Sequence, residues 1–380
     1  MNLLLNYFKN KKFFKTLIIG TVILSLFVVL VACQSDNTPE SETVEETEQT
    51  ENHETLDAQT EKEESEQSAD DQDGEDKTSD ELTQITFALD WLPNTNHSGL
   101  YLARDLGFYE EEGLEVDLVM SDMNFIEMVA VGSAELGIAS QEQILQARAS
   151  FAEVPVVAVA AIMQHNTSGF ASPVDREIKS PADFAGKTYS GWGTDLELAF
   201  ISHLMDADNA SIEDVDIITM SATNFIQSME IEADFAWIYW AWDGILSEYS
   251  DYPIDFILLQ DIVPDLDFYS PNIIASEALI EENPDLISAF LRATKKGYEY
   301  AIDNPEEAVD ALINEAPELE REFLLESQDY INTQYIADAD TWGQMTDERW
   351  QTFYDWMLEN DLLESELDLE EAYTLEFIPE

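Results

Sequence analysis

A chain of 380 residues is long enough for a targeting segment plus two lobes of ordinary size, and 45% apolar residues exclude a wholly disordered polymer. With 81 acidic against 16 basic residues the formal charge is −65, and a surface of that sign repels phosphate backbones and anionic headgroups. Nucleic acid is thereby excluded as a partner, while enzyme, transport component and structural protein all stay open.

The chain starts with four lysines (Lys9, Lys11, Lys12, Lys15), then an apolar run from Leu17 to Ala32, and no acid precedes Asp36. A charged stretch followed by a short apolar one is the pattern of a secretory signal. The run ends in Leu30-Val31-Ala32-Cys33, which resembles the lipobox of bacterial lipoproteins, and Cys33 is the single cysteine, so no intramolecular disulfide can form. Residues 1–32 are therefore expected to be a lipoprotein signal peptide, with Cys33 the lipid attachment site.

From Asp36 to Glu81 there are twenty acids and two lysines, Lys62 and Lys77, with almost nothing apolar between them. Such a stretch cannot bury enough surface to offset its ordering entropy, and self-repulsion extends it. We read residues 33–82 as a solvated tether. The remainder holds 61 acids and 10 bases, a net of −51, which salt would screen; a saline or alkaline habitat is the expectation.

In the folded region, alternation predicts a strand over 84–90, a helix over 98–112 closed by Gly113, and a strand over 114–120. A helix over 125–131, a short strand over 135–139, a helix over 141–150 and an apolar strand over 155–163 follow. Strands alternating with helices, one apolar throughout, predict a parallel sheet covered on both faces. A second series has strands at 187–190, 215–219 and 235–239 with helices at 196–205 and 224–230. After a strand at 254–259, an extended stretch around Pro264 and Pro271 leads into helices at 277–281, 284–302, 305–314, 319–331 and 346–359.

Four segments carry candidate chemistry. Asp90 to Gly99 places Trp91, Asn96 and His97 where the first strand ends, and in an open α/β sheet ligands bind at that end; a polar turn capped by Ser98 is the plainer reading. Gln164 to Phe170 is either a loop at a strand's ligand end or a link between lobes. Gly191-Trp192-Gly193-Thr194-Asp195-Leu196-Glu197 is a Gly-rich turn without the Lys-Ser/Thr of a phosphate loop or the third Gly of a dinucleotide fingerprint; Trp192 is core filler or a stacking ring, and Glu197 a solvated first-turn carboxylate or an acceptor. Trp237-Ile238-Tyr239-Trp240-Ala241-Trp242-Asp243-Gly244 puts three Trp in six residues beside a carboxylate, which suits a flat heteroaromatic ring with an amino group. His53, His97, His165 and His203 show no metal-ligand spacing, no GxSxG is present, and no metal, cofactor or catalytic residue is expected.

The segments LDWLPNTNHSGLYLARDLGFYEEEGLEVDL, QHNTSGFASP, GKTYSGWGTDLE, WIYWAWDGI and NPDLISAFLRATKKGYEYAIDNPEEAV resemble solute-binding lipoproteins of bacterial ABC importers for thiamine-pyrimidine precursors, over about residues 84 to 378. The resemblance implies an α/β, two-lobed periplasmic-binding-protein-like type II fold with two hinge crossings. Lobe 1 is expected over 83–172 and 268–380, lobe 2 over 173–267. It further implies an extracytoplasmic, monomeric receptor, anchored by lipid, that delivers an aminopyrimidine to a permease. Trp91 is then expected to stack, Trp192, Tyr239 and Trp242 to form walls, Glu197 to accept from the exocyclic amino group, and Asn96, His97 and Asp243 to add polar contacts. Enzymes of the same superfamily build the thiamine pyrimidine with a lysine and a histidine, whose positions here are Ala139 and Gln143. Sulfonate and nitrate binders also share the superfamily, but no Arg or Lys stands in the candidate motifs; riboflavin-type ligands remain an alternative.

Overall fold

The structure, a computed structural model, describes residues 82–121, 124–219, 225–230 and 233–379. The expected signal peptide, Cys33 and the tether lie outside the described residues, apart from Leu82. The strands are β1 (Thr83–Leu89), β2 (Leu114–Met120), β3 (Leu136–Ala139), β4 (Val156–Ala161), β5 (Ser168–Pro173), β6 (Thr188–Gly191), β7 (Asp216–Thr219), β8 (Ala236–Tyr239), β9 (Ile254–Leu258) and β10 (Asn272–Ser276).

In β2, Leu114 and Val116 are buried while Glu115 and Asp117 point outward, the period-2 pattern of a strand with one wet face. β3 and β4 are buried on both faces, as their continuous apolar sequence requires. The first sheet has the order β2-β1-β3-β10-β4. β1 runs parallel to β2 and β3, but β10 is antiparallel to both β3 and β4. The expected all-parallel sheet is thus corrected: β10 re-enters from the other lobe and so runs against its neighbours.

Helices cover both faces of this sheet. On one, Phe290 of the helix Pro284–Asp303 lies between Phe87 of β1 at 5.3 Å and Tyr109 at 5.1 Å. Each such ring contributes about 1.5 to 3 kcal/mol by leaving water. The same helix crosses Ser98–Asp105 so closely that a Cβ on Gly297 would stand 2.0 Å from the carbonyl oxygen of Gly99, so only glycine fits. The single helix expected over 98–112 is two, Ser98–Asp105 and Phe108–Glu111, because Gly107 turns the chain with φ +76°. On the other face lie helices Gln141–Ala149 and Asp347–Glu359, which bring Ile144, Leu145, Trp350 and Phe353 into the core.

The second lobe is built on the antiparallel sheet β8-β5-β9 and the parallel pair β6-β7. The chain passes between the lobes twice, at 162–167 and at 259–271, and the crossings run side by side. Ile162 N donates to Pro271 O at 2.9 Å, and Asn166 donates through its backbone N to Asp267 Oδ1 at 3.0 Å and through Nδ2 to Leu266 O at 2.9 Å. His165 bridges Asp267 and Asp338 at 2.8 and 3.0 Å, and its pKa is raised, first by the hydrogen bond to Asp267. Because β5 belongs to the second lobe's sheet, the passage expected after residue 172 falls inside a strand; the chain leaves the first sheet before Ser168. Among the described residues no helix is long and apolar enough to cross a membrane.

Candidate ligand-binding site

β1, β3 and β4 all end on the side facing the second lobe, so the turns that follow them line the crevice between lobes. After β1, Asn94 caps a tight 3-10 turn by accepting from Asn96 N at 2.8 Å, and His97 N returns to Asn94 O at 3.0 Å. His97 is 0% exposed: Nε2 lies 2.9 Å from Asp90 Oδ1, and Asn94 N donates to Nδ1 at 3.4 Å. The polar contact expected of His97 is therefore corrected to a brace that holds Asp90. Asn96 is half-buried, and its carbonyl accepts from Tyr298 OH at 2.7 Å.

The same turn joins the lobes. Ser327 Oγ donates to Ala241 O of the second lobe at 2.6 Å, which uses its only proton, so Thr95 Oγ1 is the donor in the 2.8 Å contact between the two hydroxyls. This bolts the loop carrying Trp91 to the segment after β8.

Trp91 from the first lobe and Trp192 from the second face each other across the crevice, with ring centroids 6.2 Å apart and a 51° tilt. Both remain open, at 43% and 48% exposure, in a protein that hides Trp342 and Trp350 completely. Water-exposed indoles at such a crevice are available for a flat ligand.

Glu197 stands differently from expectation. It is 2% exposed, and its carboxylate accepts from the backbone N of Trp192 at 3.1 Å and of Thr194 at 2.9 Å, while Thr194 Oγ1 accepts from Glu197 N at 3.3 Å. This is a reciprocal cap on the helix Asp195–Ala207, with the box formed by Thr194 and Glu197. Glu197 is neither solvated nor open: it fixes the turn that presents Trp192, and the buried Tyr189 hydroxyl beside it is pushed well up, by burial first and then by its charge.

The three Trp of the fourth segment do not gather. Trp237 meets Phe200 edge-on at 5.4 Å, Trp240 lies 5.0 Å from Phe256, and Trp242 packs edge-on at 4.9 Å against Phe323 of the C-terminal helices. A π-helical turn over Trp240–Gly244 fans the rings apart, so Trp242 is corrected from a crevice wall to a packing residue. Asp243 accepts from Phe225 N at 3.4 Å, and burial pushes its carboxyl up to about 6.

Tyr239 ends β8, with its ring 5.5 Å from that of Trp237. Its hydroxyl pKa is pushed up by burial first and then by the charges of Glu142 and Asp90, against a hydrogen bond with Ser270. This brings in Glu142, which sequence reasoning missed. Glu142 opens the helix Gln141–Ala149 directly after β3, is 5% exposed, and is pushed up to about 7 by burial, against a hydrogen bond from Ser140 Oγ. The cap of this helix uses Gln143 instead: Ser140 N donates to Gln143 Oε1 at 3.1 Å. Among the described residues no group of three or more His, Cys, Asp or Glu is arranged to hold a metal ion.

A two-lobed α/β molecule with paired crossings and a crevice at the strand ends has the architecture of periplasmic binding proteins. The alkanesulfonate-binding protein SsuA of Xanthomonas axonopodis pv. citri, solved bound to MOPS, superimposes with a TM-score of 0.60 at 14% identity, over 78% of this chain and 99% of that one. The sequence profile described as "NMT1/THI5 like" matches residues 94–308, and the chain belongs to that family. The formylaminopyrimidine-binding protein of Halalkalibacterium halodurans is 26% identical over 78% of this chain and 91% of its own. The riboflavin-binding protein RibY of Chloroflexus aurantiacus is also 26% identical, over 78% and 87%. A 4-amino-5-hydroxymethyl-2-methylpyrimidine phosphate synthase of Legionella pneumophila is 23% identical over 78% and 93%.

Proposed function

We propose that this chain is the extracytoplasmic substrate-binding protein of an ABC importer, capturing an aminopyrimidine precursor of thiamine, such as formylaminopyrimidine or hydroxymethylpyrimidine, and delivering it to the permease. The observation that carries the reading is the open pair Trp91 and Trp192, one from each lobe, 6.2 Å apart at the strand ends. At that separation the two indoles touch each other, so a ring enters only when the lobes part and the indoles move to about 7 Å; held then from both lobes, it would couple ligand binding to lobe movement, and the resulting shape is what a permease can read. The turns after β1 and β3 carry Asp90 and Glu142, β8 ends at Tyr239, and none of these segments holds an Arg or Lys, which favours a neutral or weakly basic ring over a sulfonate.

Cys33 would carry the lipid that holds the monomer at the membrane, with the acidic segment as spacer. Changing Cys33 to Ser should abolish incorporation of labelled fatty acid; continued labelling would remove the anchor from the account. The protein is read as a carrier because the Schiff-base lysine position is Ala139, within β3, and the histidine position is Gln143, whose amide oxygen caps its own helix.

Calorimetric titration with an aminopyrimidine panel, riboflavin and taurine tests the ligand class. Sub-micromolar binding of an aminopyrimidine is the expected result, and riboflavin binding with no pyrimidine response would transfer the reading to flavin capture. That second reading is favoured by the riboflavin-binding relative at equal identity, since an indole pair accepts any flat ring.

A further inference from the structure

We infer that Glu142, not Glu197, is the carboxyl that recognises the exocyclic amino group of the bound ring, and so sets the preference of the crevice for aminated heteroaromatics. The inference rests on the ligand class proposed above and assigns its recognition to one side chain.

Glu142 is buried at the ligand end of β3, yet its Oε2 has no hydrogen-bond partner, while Oε1 is held by Ser140 Oγ. A buried carboxylate oxygen without a donor is costly unless something brings one. No Lys or Arg pairs with it among the described residues; Arg148, in the last turn of the same helix, is occupied by Glu277 and Glu371 at 2.7 and 3.1 Å. Its surroundings are acceptor-rich: the Tyr239 hydroxyl, held by Ser270, feels the charges of both Glu142 and Asp90. Across the second lobe's edge, Ser168 stands opposite Tyr239 in the β5–β8 register, and the hydroxyls of Thr167 and Ser168 are buried and likewise unpartnered.

A set of two carboxyls and several hydroxyls without a cation disfavours anions, and among the described residues it lacks the cluster that would hold a metal ion. What it complements is a neutral or weakly basic N–H donor. A ring with an amino group beside a ring nitrogen meets a carboxyl edge-to-edge: the amino group donates to one oxygen, and one shared proton joins the ring nitrogen to the other. The carboxyl raised to about 7 suits that sharing near neutrality.

The test is calorimetric titration of the full chain with 4-amino-5-hydroxymethyl-2-methylpyrimidine and with the same ring lacking the amino group. Wild type should prefer the amino ring, and Glu142→Gln should lower that preference tenfold or more. Ser140→Ala, which frees the carboxyl while keeping its charge, should lower the preference about two- to fivefold, so the inference stays exposed even if Glu142→Gln fails to fold. If wild type binds neither ring, the proposed ligand class falls and takes this inference with it. If wild type binds the amino ring and Glu142→Gln keeps the full preference, only the role of Glu142 falls.

Discussion

Two strand-to-helix turns, one in each lobe, carry a first-turn glutamate and treat it in opposite ways. After β6 the cap pairs Thr194 with Glu197, three positions on, so the carboxylate is consumed by the backbone amides of Trp192 and Thr194. After β3 the cap pairs Ser140 with Gln143, again three positions on, and Glu142, one residue earlier, is left with an unpartnered oxygen. A single step in sequence position separates a carboxylate whose oxygens are taken by backbone amides from one that keeps an unpartnered oxygen.

The sharpest way to break this comparison is the pH dependence of stability. The Glu142 carboxyl is raised from 4.5 to about 7 on folding, so between those values the folded state holds a proton that the unfolded state has released. Stability is fully present below about 4.5 and is lost as pH climbs through about 7. Glu142→Gln carries no such charge; chemical denaturation should find it more stable than wild type by up to about 3 kcal/mol at pH 8 and nearly equal at pH 4. Asp243, raised in the same direction from 3.8 to about 6, adds a fall of similar size between those values in both proteins, so the difference between them still reports Glu142. Parallel pH profiles for wild type and variant would deny Glu142 its buried state.

Glu197→Ala should act in the other sense, removing the acceptor from two backbone amides and lowering stability by about 1 to 2 kcal/mol. A thermal melt unchanged by this substitution would mean that the cap is not formed. Gln143→Ala removes one acceptor rather than two, and about 0.5 to 1 kcal/mol is the expected loss in the same melt. A larger loss for Gln143→Ala than for Glu197→Ala would reverse the ordering that the two caps imply.

The alternating strands and helices of both lobes were legible because their apolar periodicity is strong, and so was the position of Trp91 and Trp192 just past the ends of strands. β5 was not: Ser168-Gly169-Phe170-Ala171-Ser172-Pro173 is small and polar, and becomes a strand because β8 and β9 pair with it on both sides. β10 hides between prolines for the same reason, its partners being more than a hundred residues away in sequence. The Trp cluster misled because proximity in the chain does not survive a π-helical turn that sends Trp240 and Trp242 to different neighbours. Glu142 carried no signal at all, since a single glutamate does not stand out from the 61 acids that follow residue 81; only burial and a missing partner set it apart.

A crystal structure of the protein with 4-amino-5-hydroxymethyl-2-methylpyrimidine tests the central claim most directly. The account predicts the ring between Trp91 and Trp192 with its amino nitrogen about 3 Å from Glu142 Oε2 and the Glu197 cap intact. A ring outside the indole pair, or an amino group donating to a Glu197 released from its backbone amides, would contradict it.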